Sequence, residues 1–166
     1  MYDRETTCCF TGHRPWGLPW GTNENDPRCL KMKFELSARL EGLIQGGYRH
    51  FLCGMALGCD LYFAEAVLDL RRQYPDLTLE AAVPCANQTE KWSGAQRRRY
   101  EEILKQCDKV TVLQEAYTRD CMMRRNRYMV DRSSVLLAAY AGTPGGTQNT
   151  ILYARRQGVI DILIEI

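Results

Sequence analysis

Six short apolar runs, most of them separated by helical segments, are the feature of this chain that most constrains its fold. The run from Val135 to Tyr140 is apolar at every position, which is typical of a strand buried on both faces of a parallel sheet. Alternating strands and helices predict an α/β fold: a doubly wound, mostly parallel sheet of about six strands with helices on both faces. We predict strands at residues 6–11, 48–53, 77–83, 109–113, 135–140 and 161–166.

Helical periodicity indicates where the chain crosses from one strand to the next. The apolar face of residues 32–44 ends at Gly46, and Asp60 is predicted to cap a helix over 61–72. The stretch 15–27 is rich in proline and tryptophan and is predicted to form an ordered loop or lid. Further helices are predicted at 94–106, 121–132 and 147–157.

Length and charge limit the number of domains and the kinds of partner. With 166 residues, 45% apolar and 25% charged, residues 1–166 are expected to form one globular domain. The 22 basic and 20 acidic residues give a net charge of +2, which disfavours nucleic acid as a partner, and the arginines at 97–99 are expected to be solvated. No apolar run suits a membrane helix or signal peptide, so we expect a cytoplasmic protein without a membrane partner. The sequence is compatible with a homo-oligomer.

The eight cysteines favour a reducing compartment over a disulfide scaffold. None lies in a Cys-x-x-Cys pair, and the two histidines, His13 and His50, have no zinc-site spacing. We therefore predict buried free thiols and no metal site.

Glycine-rich turns follow two of the predicted strands, and each turn opens a helix. Ligands of an open parallel sheet bind at the carboxyl ends of the strands, and N–H groups at helix N-termini favour phosphate or another anion. Neither turn has the spacing of a dinucleotide-binding motif or a P-loop. We predict that both turns belong to one anion site, whose candidate residues are Gly12, His13, Arg14, Gly54, Gly58, Gly145, Gly146 and Thr147.

The helix at 121–132 adds polar residues to this candidate site. Arg125 and Asn126 share one helical face with Met122 and Met129, so they point inward if the methionines face the core. A buried arginine needs an anionic partner, which could be a bound phosphate. The alternative is an internal salt bridge to Asp60 or Asp131.

Together, these motifs resemble the YpsA-like branch of the SLOG superfamily, which also contains the DNA-processing protein DprA and the LOG phosphoribohydrolases. The match extends from about residue 6 to residue 166, and its segments are FTGHRP (10–15), GMALGCD (54–60), PCANQ (84–88), RRNRYMVD (124–131) and GGT (145–147). The resemblance implies a Rossmann-like fold and a pocket for a nucleotide or nucleotide-derived ligand, in which Asp60 and Asn126 would order the pocket or contact ribose.

The chain departs from the LOG pattern at one catalytic position. Arg125 matches the arginine of the LOG Met-x-x-Arg-Lys motif, but the segment after Pro144 is two residues shorter and places Thr150 where LOG enzymes have a catalytic glutamate. A carboxylate stabilises the positive charge that develops at a ribosyl carbon. The resemblance therefore implies ligand binding without LOG-type hydrolysis.

We accordingly expect binding of a nucleotide or an ADP-ribose-like molecule, as in a sensor, with no further cofactor predicted. One alternative is a nucleoside-monophosphate or N-glycosidic hydrolase in which Asp60 or Glu65 replaces the missing acid, with Arg125 and Asp60 as candidate catalytic residues. The other alternative is DprA-like binding of single-stranded DNA.

Overall fold

The structure is a computed structural model that describes residues 2–166. Its strands are β1 Thr7–Gly12, β2 His50–Cys53, β3 Thr78–Val83, β4 Lys109–Val112, β5 Val135–Tyr140 and β6 Ile160–Glu165. Its α-helices are α1 Pro27–Gln45, α2 Cys59–Leu70, α3 Gly94–Gln106, α4 Cys121–Asp131 and α5 Gly146–Arg156. The six strands form one parallel sheet in the order β4-β3-β2-β1-β5-β6, which confirms the predicted fold class.

Helices cover both faces of this sheet. On one face, α1, α2 and α3 enclose a core in which the Phe10 and Phe63 rings stack 4.7 Å apart. On the other face, Met129 of α4 and Ile151 of α5 pack with Leu136 of β5. The apolar character of β5 at every position follows from this arrangement, because both of its faces are buried.

The order of the strands places a crevice beside β1. β1 pairs with β2 on one side and with β5 on the other, and the connection after β1 leads to β2 whereas the connection after β5 leads to β6, in the opposite direction along the sheet. At such a switch point the loops after two neighbouring strands diverge and leave a gap at the carboxyl edge. The loops after β1 and β5 are therefore the ones that can hold a ligand.

Some element boundaries differ from the predicted ones because residues predicted to lie in a strand belong to the preceding turn. β2 begins at His50 rather than Tyr48, because the Tyr48 N–H donates to Leu43 O at 3.0 Å and completes the end of α1. Gly47 permits this turn with a φ of +104°. The helix at Gly94–Gln106 and the strand at Val135–Tyr140 have the predicted bounds.

The loop that follows β1 is ordered by packing and by an ion-pair network. Trp20 is buried, and its Nε1–H donates to the Tyr62 hydroxyl at 3.3 Å. Glu24 accepts from Lys33 Nζ at 2.8 Å and from the Arg99 guanidinium, which also pairs with Glu65. The expectation that Arg99 is simply solvated is therefore wrong, because carboxylates from the loop and from α2 converge on it.

All eight cysteines are free thiols, and all but Cys107 are buried. Burial raises the pKa of the Cys9 thiol to about 12, so this side chain stays protonated and serves as a small apolar group. Within residues 2–166, no helix is both long enough and apolar enough to cross a membrane.

Replacing Arg99 by methionine should lower the free energy of unfolding by about 1 kcal/mol, because Glu24 and Glu65 would lose the cation that joins them. Hydrogen exchange of the amides at 20–24 should become faster. Arg98 is exposed on the same helix, so Arg98→Met is the matched control and should change neither urea unfolding nor exchange. Equal effects of the two substitutions would contradict this role of Arg99.

Candidate functional site

The candidate site is a pocket of about 270 Å³ where β1 and β5 end. Its position agrees with the switch point of the sheet. Loops after both strands meet there with the first turns of α2, α4 and α5. The structure brings together all but two of the predicted site residues in its wall, namely Gly12, His13, Arg14, Asp60, Arg125, Asn126, Gly145, Gly146 and Thr147.

The two remaining residues, Gly54 and Gly58, lie behind the wall and shape it. A Cβ at Gly54 would lie 2.5 Å from Nη1 of Arg125, so the absence of a side chain makes room for the guanidinium. A Cβ at Gly58 would lie 2.7 Å from the carbonyl oxygen of His13, and the φ of Gly58 is +90°. These glycines position Arg125 and the backbone after β1.

Arg125 is 3% exposed and is held entirely by uncharged groups. Its Nε donates to Asn126 Oδ1 at 2.8 Å, its Nη1 donates to the carbonyl of Gly54, and its Nη2 lies 3.7 Å from Met122 Sδ. Among residues 2–166 it forms no ion pair, so the salt-bridge alternative is not observed. Burial lowers the pKa of Arg125 from its ordinary value, and the charge of Asp60 opposes this shift.

Arg14 places a second guanidinium beside the first. Its Nη2 lies 3.4 Å from the same sulfur of Met122, and its guanidinium carbon is 5.7 Å from the centre of the Trp16 ring. In the described part of the chain, Arg14 also has no carboxylate partner. The Arg14 charge further lowers the pKa of Arg125. Two cations that share one thioether favour an anion in the pocket.

Asp60 is a buried carboxylate of the pocket wall, but it does not cap α2 as predicted. Gly58 is the residue before the helix, and the Asp60 carboxylate turns back to accept the Ala56 N–H at 3.1 Å. Burial raises the pKa of Asp60, which the nearby Arg125 opposes. The same turn holds Met55 at a φ of +59°, a strained conformation for a residue with a side chain.

A hydrogen-bond chain connects Arg125 to the start of α5. Asn126 accepts from Arg125 and donates through Nδ2 to Thr150 Oγ1 at 2.9 Å. The Thr150 hydroxyl in turn donates to the carbonyl of Gly146 at 2.8 Å. Thr150, at the position of the LOG glutamate, is therefore buried and occupied by structural hydrogen bonds. The other proposed substitute acid, Glu65, pairs with Arg99 outside the pocket wall.

The two glycine-rich turns lie at the same edge of the sheet but differ in their N–H groups. In the turn before α2, the Cys59 N–H donates to His13 O at 3.1 Å and the Ala56 N–H donates to Asp60. At α5, the N-cap residue Gly145 has a φ of +144° and supplies no side-chain cap, so the first N–H groups of the helix remain for a ligand. The α5 turn is the one that can donate to an anion.

His13 links the ends of the two central strands. Its Nε2 accepts the Ala141 N–H at 3.0 Å, which places the ring proton of the neutral imidazole on Nδ1. The ring lies against that of Tyr140, with 6.0 Å between the ring centres. Burial lowers the pKa of His13, so the neutral form that accepts this hydrogen bond is favoured.

Sequence reasoning missed a depression of about 370 Å³ beside the pocket. The two share Arg14, Trp16, Ala56 and Met122, and the depression extends to Trp92. Trp16 is 79% exposed, which is unusual for so large an apolar side chain. The tryptophans in the loop after β1 were the sequence signal for this depression. The spacing of Met122, three residues before Arg125, was the signal that its thioether contacts the guanidinium.

Comparison with known protein families and sequences gives consistent matches. The family model described as the YspA SLOG family matches residues 8–157. A UPF0398 protein of Bacillus pumilus is 33% identical over 132 residues, which cover 78% of this chain and 70% of that protein. A UPF0398 protein of Bacillus anthracis is 31% identical over 155 residues, covering 91% and 83%. The SPbeta prophage-derived protein YoqJ of Bacillus subtilis is 31% identical over 145 residues, covering 79% and 84%.

Comparison with solved structures gives two similar folds. The DNA processing protein A (DprA) of Streptococcus pneumoniae superposes with a TM-score of 0.65 at 14% identity, over 96% of this chain and 50% of that chain. DprA of Helicobacter pylori, whose structure is described as showing its single-stranded DNA binding mode, gives 0.66 at 15% identity, over 96% and 65%. The chain thus spans only part of DprA, and the likeness shows the fold.

Replacing His13 by glutamine should change how stability depends on pH. Because the folded protein holds the pKa of His13 below 6.5, the unfolded chain takes up the proton first as the pH falls. The wild-type protein should therefore lose stability relative to His13→Gln below about pH 6.5. Urea unfolding of both proteins between pH 5 and 8 measures this difference, in which the contribution of His50 cancels. A pH-independent difference would contradict a half-buried, neutral His13.

Proposed function

Since the chain belongs to the YspA SLOG family, we propose that it binds a nucleotide or nucleotide-derived small molecule at the carboxyl edge of its sheet. The observation that carries this proposal is Arg125, a buried guanidinium that forms no ion pair with any carboxylate of residues 2–166. A buried charge without a counterion is unfavourable, and an anionic ligand would supply one.

The phosphate would lie between the two arginines and the start of α5. Nη2 groups of Arg14 and Arg125 now contact the Met122 sulfur, which is a weak acceptor. A phosphate oxygen in place of the sulfur would accept charge-assisted hydrogen bonds from both guanidinium groups. The N–H groups of Gly146 and Thr147 would complete the site with the positive end of the helix dipole.

The rest of the ligand would extend into the neighbouring depression. The pocket itself, at about 270 Å³, is at the lower limit of small-molecule sites and suits a phosphate and a sugar. The depression adds about 370 Å³ and contains Trp16 and Trp92, whose flat rings can contact a nucleobase.

Binding without N-glycosidic cleavage follows from the acids present. Asp60 is the one carboxylate in the described pocket wall, and its Oδ2 already accepts the Ala56 N–H. Thr150 carries no charge and its hydroxyl is used within the fold. An oxocarbenium-like transition state would therefore lack the carboxylate that the LOG pattern supplies. Binding in the absence of turnover suits a sensor.

Replacing Arg125 by lysine should weaken binding of adenosine monophosphate by about 1–3 kcal/mol, because lysine keeps the charge but not the bidentate fork. Isothermal titration calorimetry measures this change. Arg127 is exposed on the same helix, so Arg127→Lys is the matched control and should bind like the wild type. Unchanged affinity in Arg125→Lys would show that the arginine has a purely structural role.

The protein should bind nucleoside monophosphates without releasing ribose phosphate from adenosine, inosine or cytidine monophosphate or from ADP-ribose. Loss of one electrostatic partner of the transition state typically lowers the rate by about 10²–10³. Asp60→Asn serves as the control for catalysis by the remaining acid. Rapid turnover that survives Asp60→Asn would contradict the proposed function and would indicate a different carboxylate.

Single-stranded DNA is the competing ligand, and the same protein samples can test it. Fluorescence anisotropy with a labelled oligonucleotide should show no strong binding, whereas DNA binding would fall steeply with salt. Native mass spectrometry of protein purified without added nucleotide would then identify a retained small molecule.

A further inference from the structure

A second cavity, of about 780 Å³, lies on the α4 side of the sheet at the end opposite to the candidate site. Its wall includes Thr7 and Lys109, the first residues of β1 and β4, together with the end of α4. It shares no lining residue with the pocket described above. The cavity exists because α4 packs on β1 and β3 while the outer part of this face carries no helix among the described residues.

Glu80 of β3 is the distinctive residue of this cavity, since it is only 3% exposed. Its Oε2 accepts from the Tyr128 hydroxyl at 2.6 Å and from Thr111 Oγ1 at 2.9 Å. Its Oε1 accepts no hydrogen bond from residues 2–166 and forms a long ion pair with the Lys109 ammonium at 3.9 Å. A carboxylate oxygen can accept two hydrogen bonds, so Oε1 has free capacity on the cavity side.

Packing alone does not account for a carboxylate at this position. The neighbours of Glu80 in β3, Leu79 and Ala81, are fully buried, and Leu52 lies beside it in β2. A buried ion is unfavourable unless it is paired and hydrogen-bonded on both oxygens. The neutral donors Tyr128 and Thr111 satisfy one oxygen, and the other has the distant Lys109 ammonium but no hydrogen bond.

The rim of the cavity carries the opposite charge. Arg4, Lys109 and Arg132 surround the opening, and the Arg132 guanidinium lies 3.7 Å from the centre of the Tyr128 ring. The carboxylate of Asp131, also at the rim, accepts from the Tyr153 hydroxyl. The cavity therefore has an acceptor at its floor, cations at its opening, and apolar walls from Leu52 and the rings of Tyr2 and Tyr128.

We propose that this cavity binds an aromatic amine that carries an anionic group. The amino group donates to Glu80 Oε1, the aromatic ring lies against the apolar walls, and the anionic group pairs with Lys109 and Arg132. This site is spatially separate from the nucleotide site, because the two have no lining residue in common.

Three probes without phosphate separate the parts of this proposal: para-aminobenzoate, benzoate and aniline. In amide spectra of the isotope-labelled protein, para-aminobenzoate should cause saturable shifts at Thr7, Leu52 and Lys109. Benzoate lacks the amino donor and aniline lacks the anion, so each should bind about fivefold or more weakly. Benzoate binding as tightly as para-aminobenzoate, or shifts confined to the pocket at Gly145, would overturn the proposal.

Variants assign each end of the probe to a residue. Glu80→Gln should remove most of the difference between para-aminobenzoate and benzoate, whereas Lys109→Met should weaken these two anionic probes more than aniline. Glu101→Gln, an exposed acid on α3, is the matched control and should bind all probes like the wild type. If Glu80→Gln still distinguished para-aminobenzoate from benzoate as well as the wild type does, Glu80 would have a structural role only and the proposal would be wrong. If that variant does not fold, the comparison of probes on the wild-type protein still decides.

Discussion

The burial of the Arg125 charge is the constraint on which the rest of the candidate site depends. Every group that touches its guanidinium is uncharged: the amide of Asn126, the carbonyl of Gly54 and the sulfur of Met122. These contacts fix the position of the cation but do not neutralise it. With Arg14 as a second cation and Asp60 as the one carboxylate of the described pocket wall, the carboxyl edge of the sheet carries an excess of positive charge, which an anion can relieve.

Two glycines and a hydrogen-bond chain in the sequence are explained by the need to position Arg125 and the backbone beside it. Gly54 must lack a Cβ because the guanidinium occupies that space, and Gly58 must lack one because the His13 carbonyl does. Thr150 holds Asn126, and Asn126 holds Arg125, so a hydroxyl at position 150 serves the site through two hydrogen bonds. A glutamate there would have to displace this chain of contacts.

The fold was predictable from the sequence because buried parallel strands are apolar at nearly every position, as Val135–Tyr140 shows. The inward direction of Arg125 was predictable for a similar reason, since it shares a helical face with buried Met129. Contacts between distant segments were not predictable. Arg99 meets Glu24 across 75 positions of the chain, and no local pattern distinguishes it from exposed Arg98. Tyr48 and Asp60 were misassigned because turn geometry, rather than residue preference, decided their roles.

Helix α4 connects the two ends of the molecule. Arg125 and Asn126 lie in its first half and face the carboxyl edge, whereas Tyr128 and Arg132 lie at its end and face the Glu80 cavity. Arg125 lies only three positions before Tyr128, whose carbonyl accepts from the Arg132 guanidinium at 3.1 Å, so about one helical turn joins the two sites. By linkage, two ligands that both prefer the same position of α4 would each raise the affinity of the other by the same factor.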